Sequence, residues 1–434
     1  ATTEIYTLSL HDALPISPRY LSIKGKTIRY PALHNKYFRY YLFGMTPSML
    51  AVWITRIVIS WIAWDLTGSS TYVGLLSFFL FLPYITTIPF FGVLLDRIEP
   101  LRTAILAQLI QALMAFTIFL MHVTETLSIS TLCFVALVIG TANSAHGSAR
   151  QTIVPRIVDK PTIANAVAFN AMNFQVARII GPGIGGIMIG LVGTKYTILI
   201  STIFFLPALI TLSLIKLAPK NSEKKSKDSN FLYELYDGAK VAYKNFIILE
   251  CIILTLISSV IIRGCHELLP ALADGKFNMG AEGLGNIMAS AGAGALISAF
   301  LIASRKKTYN DNGIPWVAKG SLIIGLLSVT MLGQADSWNM ALLTAFIGGA
   351  AVTNVAIDMQ STVQMQLTDT YRARVASLWL ATAIGGNAIG SILNGIFSDI
   401  YGISNTFFYV GIFGIILVII TQVILTINKR PLKI

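Results

Sequence analysis

Charge is what this chain has least of. Asp, Glu, Lys and Arg make up 12% of its 434 residues, about half of what a soluble domain carries. That leaves too few charges to cover a water-facing surface, and it excludes a soluble enzyme and a disordered chain. Cysteine is nearly absent as well. Cys133, Cys251 and Cys265 all lie in apolar runs and none forms a CxxC pair. A disulfide scaffold and a cysteine metal site are therefore excluded, and the three are read as inert buried thiols. There is no Walker loop, no GxSxG and no HExxH. No catalytic residue, cofactor or metal ligand is assigned, and the chain is read as a non-enzyme.

What is present is apolar length. Hydrophobic residues make up 55% and the mean hydropathy is +0.70. A helix crosses a bilayer with about 20 apolar residues. Twelve such segments are expected, at 40–64, 71–95, 101–124, 128–150, 163–192, 194–216, 244–271, 283–304, 316–334, 338–361, 373–398 and 403–428. The fifth and seventh exceed the usual span and should tilt or kink. The fold class is an all-α membrane protein. Residues 1–16, ATTEIYTLSLHDALPI, lack the basic start and apolar stretch of a signal peptide. They resemble a translated sequencing-library adapter and are set aside as an artefact.

The longest polar stretch, 217–243, contains the run Asn221 to Asp228 and divides the chain. Bundles of six helices are expected at 40–216 and 244–428, with cytoplasmic segments at 17–39, 217–243 and 429–434. Residues 231–241 read either as an interfacial amphipathic helix or as solvated linker. The net charge is +12. With the N-terminus inside, 27 of the 32 Lys and Arg fall in inner segments, and only Lys195 and Lys276 in outer loops. Positive residues stay on the cytoplasmic side of short loops. Both ends are thus placed in the cytoplasm, and the basic balance needs no nucleic acid.

Segment 5 holds Gly181, Pro182, Gly183, Gly185, Gly186 and Gly190; segment 11 holds Gly385, Gly386, Gly390 and Gly395. Each is the fifth of its half. Two parallel six-helix pseudo-repeats around a central cavity follow as the expected plan. The pairs Gly181/Gly185 and Gly186/Gly190 each put two glycines on one helix face, where a second backbone can approach. Pro182 should kink the helix. Packing alone would also account for these glycines. A dinucleotide loop would not, because no strand precedes them.

Several short motifs follow one another in order. Trp64-Asp65-Leu66-Thr67-Gly68-Ser69-Ser70 ends segment 1. Gly92-Val93-Leu94-Leu95-Asp96-Arg97-Ile98-Glu99-Pro100-Leu101-Arg102 follows segment 2. Ala149-Arg150-Gln151-Thr152-Ile153-Val154-Pro155 ends segment 4. Ala177-Arg178-Ile179-Ile180-Gly181-Pro182 lies in segment 5, and Tyr371-Arg372-Ala373-Arg374-Val375 precedes segment 11. On a twelve-span chain these resemble the major facilitator superfamily, over about residues 36–428. Within it they are most similar to the drug:proton antiporter branch of macrolide-efflux and enterobactin-exporter type. The resemblance implies a gating loop built on Gly92, Asp96, Arg97 and Arg102, with Asp96 capping or pairing with a helix end in one state. It implies a helix-5 Gly-Pro motif of Arg178, Gly181, Pro182, Gly185 and Gly186. The sequence departs from the pattern at Glu99-Pro100. It departs again at Ala303-Ser304-Arg305-Lys306-Lys307, where Ser304 replaces the acid.

Ionisable residues inside a bilayer cost roughly 2.5–3.5 kcal/mol each on insertion scales and are functional candidates by default. Arg56, Arg178, Glu250, Arg263 and Asp358 fall inside segments, with Asp65, Glu267 and Asp399 nearer helix ends. Arg56 and Arg178 are expected in the cavity, or else in structural ion pairs with Glu250 or Asp358. Asn170, Asn173 and Asn354 are candidate substrate contacts or interhelical hydrogen bonds. Asp358, then Glu250 and Asp65, are the candidates for proton coupling.

The expected function is export of hydrophobic small molecules of drug, macrolide or siderophore class by alternating access, coupled to protons. The expected partners are the small-molecule substrate, H+ and lipid, and the expected setting is a monomer in a bacterial inner membrane. Uniport or import of a metabolite by the same fold is the alternative, with a non-transporting sensor or scaffold behind it.

Overall fold

The computed structural model describes residues 21–23, 26–28, 30–87, 98–217, 239–243, 245–304, 313–367 and 369–427. A short antiparallel pairing, β1 (Leu21–Ile23) with β2 (Lys26–Ile28), comes first, and the regular structure of the other described residues is helical. In order, the helices are α1 (Lys36–Thr67), α2 (Ser70–Thr86), α3 (Pro100–Val123), α4 (Ile129–Ile157), α5 (Ile163–Phe204) and α6 (Leu206–Leu214) in the first half of the sequence. In the second half they are α7 (Phe246–Ile257), α8 (Gly280–Ser304), α9 (Trp316–Gln334), α10 (Trp338–Met365), α11 (Asp369–Tyr401) and α12 (Ile403–Ile427). The chain beyond α7 winds through π-helical turns at Ser258–Arg263 and Ala271–Lys276.

Local chemistry sets the ends of α1. Asn35 accepts hydrogen bonds from the Tyr37 and Phe38 N–H groups at 2.9 and 3.1 Å and caps its start. Gly68, at φ 60°, turns the chain into α2. Among the described residues, ten helical stretches are long and apolar enough to cross a membrane. The longest, Lys160–Leu214, runs for 55 residues but is not one rod. Gly193 sits at φ 80°, ψ 164°, a conformation open to glycine. Before it, Tyr41 donates to Asn170 at 3.0 Å and Gly181 lies under Trp53, so α5 runs parallel to α1. After it, Thr55 meets Ser201 at 3.1 Å and Gly44 faces Thr211, so the chain runs back.

Two ends of the molecule can be defined from contacts. Asp399, near the end of α11, touches Ser69 and Ser70 at the α1–α2 turn. The far end therefore holds the end of α1 and the start of α12. The terminal end holds the start of α1 and the end of α12. Large apolar side chains such as Phe43, Leu191, Phe300 and Tyr409 point outward, as they do on a surface that meets lipid rather than water.

The halves pack through small residues along α2–α11 and α5–α8. A Cβ on Gly74 would lie 2.2 Å from the Ser391 carbonyl oxygen, and one on Gly186 would lie 2.3 Å from the Gly285 Cα. The two GxxxG pairs split their work. Gly181 and Gly185 face α1 at Trp53 and Ile54, whereas Gly186 and Gly190 face α8 at Gly285 and Glu282. Without bulk at these positions the backbones approach to contact.

A methyl at Gly186 must push α5 and α8 apart, an overpacking cost of about 1–3 kcal/mol. Gly186→Ala should lower the midpoint of thermal unfolding of the detergent-purified protein by several degrees. Gly147→Ala, where nothing lies within 4 Å, should leave it unchanged. Equal midpoints for the two variants would show that the α5–α8 contact is looser than described.

Candidate functional site

Arg56 lies eleven residues before the end of α1, about 16 Å along the helix from the far end. Its guanidinium forms an ion pair with Glu267, in the turn between the two π-helical segments. Its flat face lies over the Phe81 ring at 4.4 Å and near Trp53 at 5.2 Å. Glu267 accepts two more hydrogen bonds, from Ser77 at 3.0 Å and Asn387 at 3.2 Å. One carboxylate thus ties together α1 and α2 of the first half and α7's extension and α11 of the second. A lone charge here would be costly, and an ion pair with two further donors offsets that cost.

Farther toward the far end the same halves meet again. The Trp64 indole N–H donates to Asp274 at 2.8 Å. Asp399 receives the Ser69 hydroxyl and the backbone N–H groups of Ser70 at 2.7 Å and Thr71 at 3.0 Å. Those amides are the unpaired donors of the first turn of α2, whose own Ser69 makes no side-chain cap. A carboxylate from α11 therefore caps α2 across the halves. Ser391 donates to the Gly74 carbonyl at 3.1 Å. These bonds between described residues use first-half positions from Arg56 to Ser77.

Three more arginines lie nearby. Arg178 on α5 and Arg263 in the π-helical turn fall within electrostatic reach of Arg56, and Arg263 also of Glu267. The Nε of Arg178 is buried without a hydrogen-bond partner among the described residues. Arg150 on α4 lies over Phe174 at 4.6 Å, and Phe174 packs edge-on to Trp53 at 6.2 Å. Ser48, Gln108 and the buried His146 form a hydrogen-bonded chain of 2.7 and 3.2 Å across α1, α3 and α4.

The other residues singled out from the sequence are dispersed. Gly92, Asp96 and Arg97 lie outside the described residues, as do Arg305 to Lys307 and most of 231–241. Arg102, in the first turn of α3, pairs with exposed Glu99 at 3.2 Å. Asn170 is held by Tyr41. Asn354 donates to Ser321 at 2.8 Å, and Asn173 is half-buried on α5. Glu250 pairs with Lys319 at 2.5 Å and accepts from Gln422 at 2.7 Å, inside the second half. Asp65 is exposed at the end of α1, and Asp358 is half-buried on α10. Arg56 finds its partner in Glu267 rather than Glu250 or Asp358. The capping role of Asp399 and the bridging role of Glu267 are the two that sequence reading missed.

Comparison with known proteins agrees with this architecture. Residues 28–431 match the family described as transmembrane secretion effector. Macrolide efflux protein A of Streptococcus pyogenes is 22% identical over 395 residues, covering 90% of this chain and 96% of its own. The staphyloferrin A transporter of Staphylococcus aureus is 24% identical over 396 residues, with the same coverage of 90% and 96%. In three dimensions, a bacterial homologue of the human lysosomal transporter Spinster superposes with a TM-score of 0.70 at 15% identity. That match covers 91% of this chain and 99% of the other, and shows the shared fold.

Removing one member of the buried pair strands the other. Arg56→Ala and Glu267→Ala should each destabilise the protein by about 3–5 kcal/mol, and the double variant by clearly less than the sum. A double-mutant cycle of unfolding in detergent measures the difference. Strict additivity would mean that the two side chains do not interact.

Proposed function

We propose that this chain, which belongs to the transmembrane secretion effector family, is a secondary active exporter working by alternating access. The reading rests on one observation: Glu267 joins Arg56 and Ser77 of the first half to Asn387 of the second. Opening the far end must break that contact. In this reading the ten long helices, the returning leg after Gly193 and the shorter Ser70–Thr86 make twelve crossings. They form six-helix halves at 40–216 and 244–428. The bias of Lys and Arg places both termini in the cytoplasm of a bacterial cell, so the far end faces outward and is closed in this conformation. The protein acts as a monomer in the inner membrane.

Coupling to protons runs through Glu267. With the far end closed, its carboxylate is ionised and held by Arg56. When substrate drives the far end open, Glu267 loses that partner and takes a proton from outside. On return, Arg56 reclaims the carboxylate and the proton leaves toward the cytoplasm. One substrate goes out as one proton comes in. The differential contact that a two-state cycle requires is the ion pair itself. The gating loop around Asp96 and the Gly-Pro segment of α5 support the same rocking motion. The cargo is a small molecule of the macrolide or siderophore kind that the relatives' names record.

The test uses a bacterial host stripped of its own exporters. Cells carrying the protein should accumulate less of at least one macrolide, dye or catechol siderophore, and a protonophore should restore accumulation. In Glu267→Gln the fall in accumulation should vanish, while exchange of internal for external substrate persists. Unchanged accumulation across the panel, with folded protein in the membrane, would remove the export reading. Full protonophore-sensitive export by Glu267→Gln would take the coupling role away from Glu267.

A further inference from the structure

We propose that the substrate is an organic anion, bound by Arg56, Arg178 and Arg263 with its apolar body against Trp53 and Phe81. The inference rests on the exporter reading for its direction, and on the charge balance of the site for its chemistry. Three guanidinium groups come from neighbouring elements: Arg56 lies by Trp53, Arg178 is one turn before Gly181, which packs on Trp53, and Arg263 is four residues before Glu267, the partner of Arg56. Glu267, four residues after Arg263, is the carboxylate paired with Arg56. The site therefore carries two positive charges in excess, in a setting where even one is expensive.

Glu267 cannot neutralise them all. Its oxygens are already occupied by Arg56, Ser77 and Asn387. Arg178 and Arg263 form no hydrogen bond or ion pair with another described residue, and the Nε of Arg178 is buried and unpaired. A buried donor left without an acceptor signals a missing partner. The partner that fits is an acidic oxygen of a ligand: a guanidinium offers parallel donors matched to a carboxylate or a comparable anion. One or two negative charges on the ligand would balance the excess.

The rings set the shape of the rest. Arg56 already lies over Phe81 at 4.4 Å, and Trp53 stands beside it at 5.2 Å with Phe174 edge-on to the indole. Apolar faces next to cationic forks suit a ligand with an acidic edge and a flat or apolar body. A cation of the same size would meet three groups of like charge. The same site also gives substrate a way to open the far end: an incoming anion competes with Glu267 for Arg56. Occupancy itself then weakens the contact that keeps the halves together.

The test is binding by purified full-length protein in detergent, using 2,3-dihydroxybenzoate and phthalate against the neutral amide and the primary amine of the same ring. The anions should bind saturably and raise the unfolding midpoint, with the amide and amine at least tenfold weaker. Arg178→Gln and Arg263→Gln should each weaken anion binding tenfold or more, and Arg178→Lys, which keeps the charge, should lose less. Lys195→Gln removes an equal charge elsewhere and should change nothing. If a Gln variant does not fold, the Arg178→Lys result and the ligand series decide. Equal or stronger binding of the amine, or anion binding indifferent to every arginine substitution, would overturn the proposal. Liposome flux separates the two readings. Anion binding with no flux removes the exporter but keeps the anion site. Flux of neutral and cationic compounds without preference for anions does the reverse.

Discussion

A charge inside a bilayer has no water to turn to, and the middle of this protein is arranged around that constraint. Glu267 is surrounded by donors from helices far apart in the sequence because nothing else at that depth can compensate it. Arg56 supplies the opposite charge, Ser77 and Asn387 the remaining hydrogen bonds. Each partner sits on a different element, so the satisfied carboxylate also fixes how α1, α2 and α11 stand around α7's extension. Had the pair formed within one helix, it would have stabilised that helix alone. Because it spans the halves, it is a structural clasp that any separation of them would have to break.

The clasp works only because the backbones come close enough to present it. Lipid chains are as apolar as leucine, so helices in a bilayer gain little by burying large apolar side chains against one another. They gain by contact and by polar bonds. Along α2–α11 and α5–α8 this contact is made at Gly74 against Ser391 and Gly186 against Gly285. Side chains of any size there would hold the helices apart and stretch the bond from Ser391 to the Gly74 carbonyl. The Asp399 cap on α2 follows from the same proximity, since its oxygens reach backbone amides only where α11 lies against the start of α2.

Much of the architecture was legible in the sequence because it follows from one-dimensional properties. Apolar length marks the helices, glycines four apart mark the close contacts, and Gly193 marks a reversal between two apolar stretches. What was not legible depends on which helices become neighbours. Segment 7, drawn to residue 271, put Glu267 about a turn from its end. In the structure the chain continues through π-helical turns to Lys276, so Glu267 lies deeper and can meet Arg56. Nothing in the hydropathy profile announces a π-helical continuation. Asp399 was equally opaque: two residues from a helix end it resembles any terminal acid, and only the packing of α11 on α2 gives it amides to cap. Lys319, counted as an inner-loop charge, lies in the first turn of α9 and reaches back to Glu250.

That last pair clarifies the first. Glu250, Lys319 and Gln422 form a closed triangle of 2.5, 2.7 and 2.8 Å contacts on α7, α9 and α12. All three belong to the second half, so a motion of one half against the other leaves them undisturbed. Their charges balance and their donors are occupied. Arg56 and Glu267 differ: their bond crosses the halves, and Arg178 and Arg263 lie in their surroundings. A buried ion pair in this chain can therefore lie within one half or cross between the two. Only a pair of the second kind would have to break if the two halves moved apart. Among the described residues, Glu250–Lys319 ties helices of the second half together, and Arg56–Glu267 ties the two halves to each other.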